Sequence, residues 1–278
     1  VGEAYFMRGY SYFNLARNFG RVPIHTEVVE KLDDTQTSLA SSLDDMWTRI
    51  LDDFRTAASM LSYYKAPQTG RADLTAAQSM LAKSYLYLAS AKANGVPEYK
   101  DMSFDVEEYY KNAADWAAKV VLNPEQTTYS FSDNLESIYD VENPTCPEHI
   151  FIMSMDRTGA SEGQYSKISK MYIPYVAGGT IYLKNEDGSF SATHDGWGEY
   201  RTTKEFYDSF ESGDKRHDEL IVSEVYNKEG KVIADYKADG SGKLAYPFCR
   251  KFIDPSFVGD KTSTRPYLSR FSDIALTY

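Results

Sequence analysis

Cysteine and histidine are scarce in this chain: two Cys and four His in 278 residues. Cys146 and Cys249 form no disulfide framework and match no metal-ligand spacing; a single bridge between them and a pair of buried thiols both stay open. His25, His149, His194 and His217 are scattered, with no H-E-x-x-H and no i, i+4 pair, so no cofactor or metal is expected from them. His194, beside Asp195, reads as a solvated loop residue. Basic side chains are outnumbered, 30 against 41 acidic, for a net charge of -11. Without a basic run or stripe, nucleic acid is excluded as a partner class. The negative excess repels anionic ligands and leaves neutral ones better placed. No apolar run approaches the roughly 20 residues of a membrane helix. A signal peptide, a G-x-S-x-G elbow, a phosphate loop and a dinucleotide fingerprint are all lacking.

What the chain has in excess is tyrosine: 23, against 14 Phe and 3 Trp. A tyrosine ring is apolar with a polar tip, which suits both cores that meet water and surfaces that grip partly polar ligands. The length allows one large domain or two modest ones. The opening stretch, EAYFMRGYSYFNLARNFGRVPI, predicts a helix from about Glu3 to Asn18, with Gly20 as its left-handed stop and Pro23 preventing continuation. Apolar residues cover most of its circumference, so it is expected to be buried between other elements. It begins with no entry segment, and SRFSDIALTY at the other end has the pattern of a helix beginning. We therefore expect an excerpt of a longer chain.

A second helix is expected after Ser41 or Ser42, with Asp44 and Asp45 favouring its N-terminus. Leu43, Met46, Trp47, Ile50, Leu51, Phe54, Ala58 and Leu61 follow i, i+3, i+4, i+7 spacing, which assigns Trp47 to the core. A third helix is predicted from Thr75, capped by a T-A-A-Q box with Gln78, and ended by Asn94, Gly95 and Pro97. A fourth follows Asp105, with Glu108 completing a D-x-x-E variant, and stops at Asn123-Pro124. Trp116 lies off its main face and carries no assignment.

Two successive hairpins invite a repeat comparison. Tyr5, Gly9 and Tyr12 match the W, G and Y spacing of the first helix of a tetratricopeptide repeat. Ala82 and Tyr85 match the last two positions in the third helix, while Ala113 and Ala117 suit a second helix. Small residues let paired helices approach as an aromatic fills the groove. The loop from Gly20 to Ser42 is too long for a standard unit, so residues 1–123 read as a divergent helical-hairpin scaffold.

After Pro124 the pattern changes. EHIFIMSM, Glu148 to Met155, reads as a short buried strand, and Asp187-Gly188 as the turn of a hairpin. Thr202 is expected to open a short helix through a T-x-x-E box, with Phe206, Tyr207 and Phe210 on its buried face. A strand pair is expected across Asp239-Gly240. Residues 124–278 thus read as loop-rich decoration with short strands and helices on the scaffold, and the fold class as mainly α.

These residues carry a family resemblance. EAYFMRGYSYFNLARNFGRVPI, AAQSMLAKSYLYLA, EHIFIMSM, GWGEYRTTKEFYDSFESGDKRHDELI and RPYLSRFSDIALTY occur in an order and spacing similar to the RagB/SusD-like outer-membrane glycan-binding lipoproteins of Bacteroidetes. The resemblance covers nearly the whole sequence. It implies one SusD-like domain that captures a glycan at the cell surface and hands it to a TonB-dependent, SusC-like transporter. It also implies a lipid anchor outside the excerpt as the only membrane attachment; neither Cys146 nor Cys249 serves as that anchor. The family fixes no ligand position, so site residues rest on chemistry.

A neutral glycan offers flat C–H faces for aromatic stacking and a rim of hydroxyls for polar groups. The stretch from Met171 to Arg201 supplies both. Tyr172, Tyr175, Tyr182, Trp197 and Tyr200 are the candidate stacking residues; Asn185, Asp187, Asp195 and Arg201 are the candidate hydrogen-bonding ones. Glycines 178, 179, 188, 196 and 198 permit a tightly turned platform. The plainer alternative is that Trp197 pins its loop to the helices. N-E-D-G at 185–188 reads as a turn rather than a calcium loop. No carboxylate pair stands out as a glycosidase pair, and the expected role is non-enzymatic. Two other classes stay in view: a glycoside hydrolase of the same uptake system, and a helical-repeat scaffold that binds a protein or peptide.

Overall fold

The computed structural model describes residues 1–68, 70–176 and 179–278; Gly178 of the loop glycines lies outside the described residues. Helix α1 (Gly2–Phe19) ends where Gly20 takes φ 71° and returns its N–H to Ala16. Helix α2 (Leu43–Met60) starts at Ser42, whose hydroxyl accepts from Asp45 N–H. Helix α3 (Leu74–Ala93) begins one residue earlier than the sequence suggests. Its cap is the Asp73 carboxylate, accepting from Ala76 N–H at 2.8 Å and Tyr64 N–H at 3.2 Å. The T-A-A-Q box does not form: Gln78 turns instead to the Tyr63 hydroxyl at 3.0 Å. A carboxylate is the stronger acceptor for the exposed N–H groups of a helix start, and Asp73 takes the place of Thr75. Helix α4 (Val106–Val121) is capped by Asp105, as expected.

These helices belong to a unit made of Val1–Phe131, Pro147–Phe151 and Leu268–Tyr278. Phe6, Trp47 and Phe54 are fully buried in its core, each contributing about 1.5–3 kcal/mol by removal from water. The Phe13 ring meets Trp47 edge-on at 5.7 Å, and Tyr87 stacks on Trp47 at 5.5 Å. Gly9 shows why a small residue recurs at the repeat position. A Cβ there would lie 3.1 Å from both Asp53 Cβ and Phe54 Cε1, so α1 and α2 approach through the missing side chain. Next to it, Arg8 grips Asp53 with both arms, Nε to Oδ2 at 2.8 Å and Nη2 to Oδ1 at 2.7 Å. Strand β1 (His149–Ile152) is shorter than the EHIFIMSM segment, since Met153 is already exposed.

The second unit comprises Ser132–Cys146 and Ile152–Tyr267. It opens with helices α5 (Leu135–Tyr139) and α6 (Ile168–Tyr172). Strands β2 (Thr180–Lys184) and β3 (Phe190–His194) form the expected hairpin, pairing Thr180 with His194 and Lys184 with Phe190. Gly188, at φ 81°, makes its turn. Two short helices follow, α7 (Lys204–Asp208) and α8 (Lys215–Leu220). Thr203, not Thr202, caps α7, and Phe206 faces solvent rather than the core. No residue of α7 is buried; Tyr207, and Phe210 just beyond the helix, are half-buried.

Beyond α8 come β4 (Ile221–Val222), β5 (Glu224–Tyr226), β6 (Val232–Asp235) and β7 (Phe248–Cys249). The sheet runs in the order β3-β2-β5-β6, built from the short strands expected in this region. The β5–β6 turn is at Asn227–Lys231, where the Asn227 carboxamide accepts from Lys231 N–H. The strand pair expected across Asp239-Gly240 is therefore corrected to one turn earlier, because Asn227 closes the tighter loop. Ile173, Ile181, Leu183, Val225 and Phe248 make this unit's main core. Strand β8 (Tyr267–Arg270) pairs with β1, and α9 (Phe271–Ala275) follows it. Cys146 and Cys249 are both free thiols.

Candidate functional site

Residues 195–200 lie alongside residues 170–174, joined by backbone hydrogen bonds. Trp197 N–H donates to Lys170 O at 2.6 Å, Tyr200 N–H to Met171 O at 2.9 Å, Gly198 N–H to Ile173 O at 3.0 Å, and Gly196 N–H to Pro174 O at 3.1 Å. This closeness explains the glycines. A Cβ on Gly196 would sit 1.8 Å from the Ile173 carbonyl oxygen. One on Gly198, at φ 66°, would sit 2.2 Å from the Tyr246 hydroxyl. The two glycines are buried while Trp197 between them is thrown outward, 48% exposed.

We call the aromatic side chains of these two paired segments, Tyr172, Tyr175, Trp197 and Tyr200, the ledge. Tyr200 is 54% exposed, and its ring lies 5.1 Å from that of Tyr172. Tyr172 is backed in turn by Phe252 at 4.6 Å. Burial pushes the Tyr172 hydroxyl above the usual phenol range, so it stays a neutral donor. Tyr175, 73% exposed, follows Pro174 directly. Arg201 follows Tyr200 directly: its Nε donates to Gly198 O at 3.2 Å and its guanidinium stands 5.5 Å from the Tyr246 ring centre. Exposed rings with polar tips, and a guanidinium, are the side-chain types that complement a sugar's C–H faces and hydroxyls.

Not every candidate joins it. Tyr182 sits on β2, in register with Ala192 on one side and Tyr226 on the other. Asp195 is buried, its N–H bonded to Gly179 O at 2.9 Å. His194 is buried too, not solvated as its loop setting suggested. Its Nδ1 lies 3.0 Å from Asp195 O and its ring meets Phe257 edge-on at 5.0 Å. The end of β3 folds under the ledge and takes both residues inside. Burial, with Lys170 nearby as a smaller cause, lowers the His194 pKa, so the neutral ring is favoured.

Asn185 and Asp187 belong to a different place in the same unit. They help line a cleft of about 430 Å³ with Asn134, Glu136, Arg250 and Pro255. Arg250 is held on three sides there: Nη1 donates to Lys184 O at 2.6 Å, Nη2 to the Asn185 side chain, and Nε lies 3.2 Å from Glu136 Oε1. Burial raises the Glu136 pKa although Arg250 opposes it, and burial lowers that of Arg250. The guanidinium is thus committed within the protein.

Lys170, Tyr246 and Phe252 have no motif to announce them. They reach the ledge from one turn before it and from some fifty residues after it in sequence, and only the tertiary contacts bring them there. The one signal available was the alternation Gly196-Trp197-Gly198, which marks a backbone pressed against something.

Residues 1–86 match a SusD-like family model described as "Starch-binding associating with outer membrane". The fold match extends over the whole chain. A SusD superfamily protein of Parabacteroides distasonis superposes with a TM-score of 0.70 at 23% identity, covering 100% of this chain and 54% of that one. The whole chain has the fold of these structures, and its residues 1–86 are similar to the SusD-like family. A laminarin-binding SusD-like protein gives a TM-score of 0.69 at 21% identity, over 99% of this chain and 58% of that one. NanU of B. fragilis gives 0.69 at 20% identity, over 99% of this chain and 52% of that one. No curated protein matches the sequence. The chain spans a little over half the length of these solved structures. The mainly α, tetratricopeptide-like class expected from its hairpins is that of this fold.

Proposed function

We propose that this SusD-like chain is a saccharide-binding protein of the outer-membrane surface, which captures a neutral glycan on the Tyr172–Trp197–Tyr200 ledge without altering it. The ledge carries the reading: Trp197 and Tyr200 are exposed on a segment that backbone hydrogen bonds and two closely packed glycines hold in place. The family description of starch binding at the outer membrane supports it. So does the laminarin-binding neighbour, whose fold this chain shares. In this reading the protein is a lipoprotein that passes its glycan to a TonB-dependent, SusC-like transporter. Tyr175 and Arg201 extend the ledge; Asn185 and Tyr182 lie apart from it.

Trp197→Ala is the test. Titration with laminari- and malto-oligosaccharides should show weakened binding in a protein whose melting is unchanged. Unaltered affinity in that folded variant removes the ledge as the site. New reducing ends on incubation with the polysaccharides would make the protein a hydrolase instead of a carrier.

A further inference from the structure

Lys170 meets Trp197 and its loop through three contacts, made by two groups. Its carbonyl accepts the Trp197 N–H at 2.6 Å. Its ammonium donates to the carbonyl of Asp195, two residues before the tryptophan, at 2.9 Å. That same ammonium lies over the indole, 5.9 Å from the ring centre. It is anchored from behind by Asp260 Oδ1 at 3.1 Å, and the lysine side chain is only 12% exposed. One side chain thus joins α6, the ledge loop and the turn at 258–261.

We propose that Lys170 is a positioning residue for saccharide binding: it holds the Trp197 indole from one face and leaves the opposite face open to a sugar. This inference rests on the ledge being the binding surface. An ammonium over an aromatic face is favourable, more so when shielded from water. Here it is shielded, and its charge is answered by Asp260. An exposed indole on a nine-residue loop otherwise samples several rotamers, and ordering it on binding costs affinity. With Lys170 in place that ordering precedes the ligand. The lysine also acts on one side only, so Trp197 stacks a single sugar face and does not intercalate between two.

The experiment uses protein labelled with 5-fluorotryptophan, whose fluorine spectrum has one signal for each of the 3 tryptophans. Trp197→Phe assigns the relevant one. In Lys170→Met that signal should move towards the position of free, solvated indole, with Trp47 and Trp116 unmoved. The dissociation constant for laminari- or malto-oligosaccharide should rise about three- to tenfold. Lys170→Arg, which keeps a cation and donors, should restore most of both. Trp197→Phe combined with Lys170→Met should bind no worse than Trp197→Phe alone; an additive loss would show that the lysine acts by another route and overturn the proposal. A Trp197 signal that stays in place in folded Lys170→Met also overturns it, as does a signal that moves while affinity holds. If Lys170→Met does not fold, Asp260→Asn decides, since it leaves the lysine and removes only its anchor: an unmoved signal there overturns the clamp. Should the unmodified protein bind neither oligosaccharide, the functional reading fails, and the fluorine signal still tells whether Lys170 orients Trp197.

Discussion

The rings of Tyr172 and Tyr200 lie 5.1 Å apart, inclined at 40°, and the Phe252 ring lies 4.6 Å from that of Tyr172. Tyr200 therefore has a backing that a lone surface tyrosine lacks. If two rings and a few exchanged hydroxyl bonds net about 4–6 kcal/mol, the dissociation constant falls between about 1 mM and tens of μM. Calorimetry should find it in that range, and a nanomolar value would contradict capture by stacking alone. Tyr200→Ala should weaken binding by about 0.5–1.5 kcal/mol.

Gly196→Ala should cost about 1–3 kcal/mol of stability, because its methyl group meets backbone rather than a yielding side chain. The nearest obstacle is the Ile173 carbonyl oxygen at 1.8 Å. Gly179→Ala is the control: it lies in the adjoining segment with nothing within 4 Å of the added carbon. Urea denaturation of both variants should separate them, and equal midpoints would show that the loop can move aside.

In the helical unit, Arg8→Ala should destabilise by about 2–4 kcal/mol, since it strands a carboxylate that is only 2% exposed. The Asp53 bond is also the largest cause of the raised Arg8 pKa. Replacing the pair together, Arg8→Met with Asp53→Leu, should recover much of the loss. A double variant as unstable as the single one would mean that the pair sets the α1–α2 geometry itself.

His194 predicts a pH effect with a definite sign. Burial lowers its pKa in the folded protein below the ordinary 6.5. Under mildly acidic conditions the unfolded chain therefore binds a proton that the folded one does not. Its contribution is intact above 6.5 and declines as pH falls from 6.5 towards the folded value. Asp73 and Glu136, whose pKa values are raised, act in the opposite sense at lower pH, so the comparison must be between proteins. Melting temperature between pH 7.5 and 5 should fall more steeply in the unmodified protein than in His194→Asn; parallel curves would remove His194 as a cause.

Much of the scaffold was legible along the chain. The Met46, Trp47, Ile50, Leu51, Phe54 stripe is a local pattern, and helical periodicity converts it directly into a buried face. Gly20, Ser42, Asp105 and the Asp187-Gly188 turn are likewise local devices, and each acts where it was read. Thr75 and Thr202 were misread because neighbouring Asp73 and Thr203 compete for the same helix starts, and packing decides such contests. The turn at Asn227–Lys231 was passed over for Asp239-Gly240, as both have turn chemistry and only strand pairing distinguishes them.

The candidate site was legible as a region but not as a surface. Trp197, Tyr200 and Arg201 come together because they share one loop, whereas Asn185 departs to the Arg250 cleft and Asp195 is drawn inside. Nothing near Lys170 in sequence points to Trp197.

From its amino acids alone, then, this protein settled its helices, their caps for the most part, and the aromatic supply of the candidate site. Those features depend on neighbours a few residues apart, which the one-dimensional order preserves. Which rings face water, which histidine is buried, and which lysine stands behind the tryptophan were decided only on folding. Each depends on segments separated by tens of residues competing for the same space.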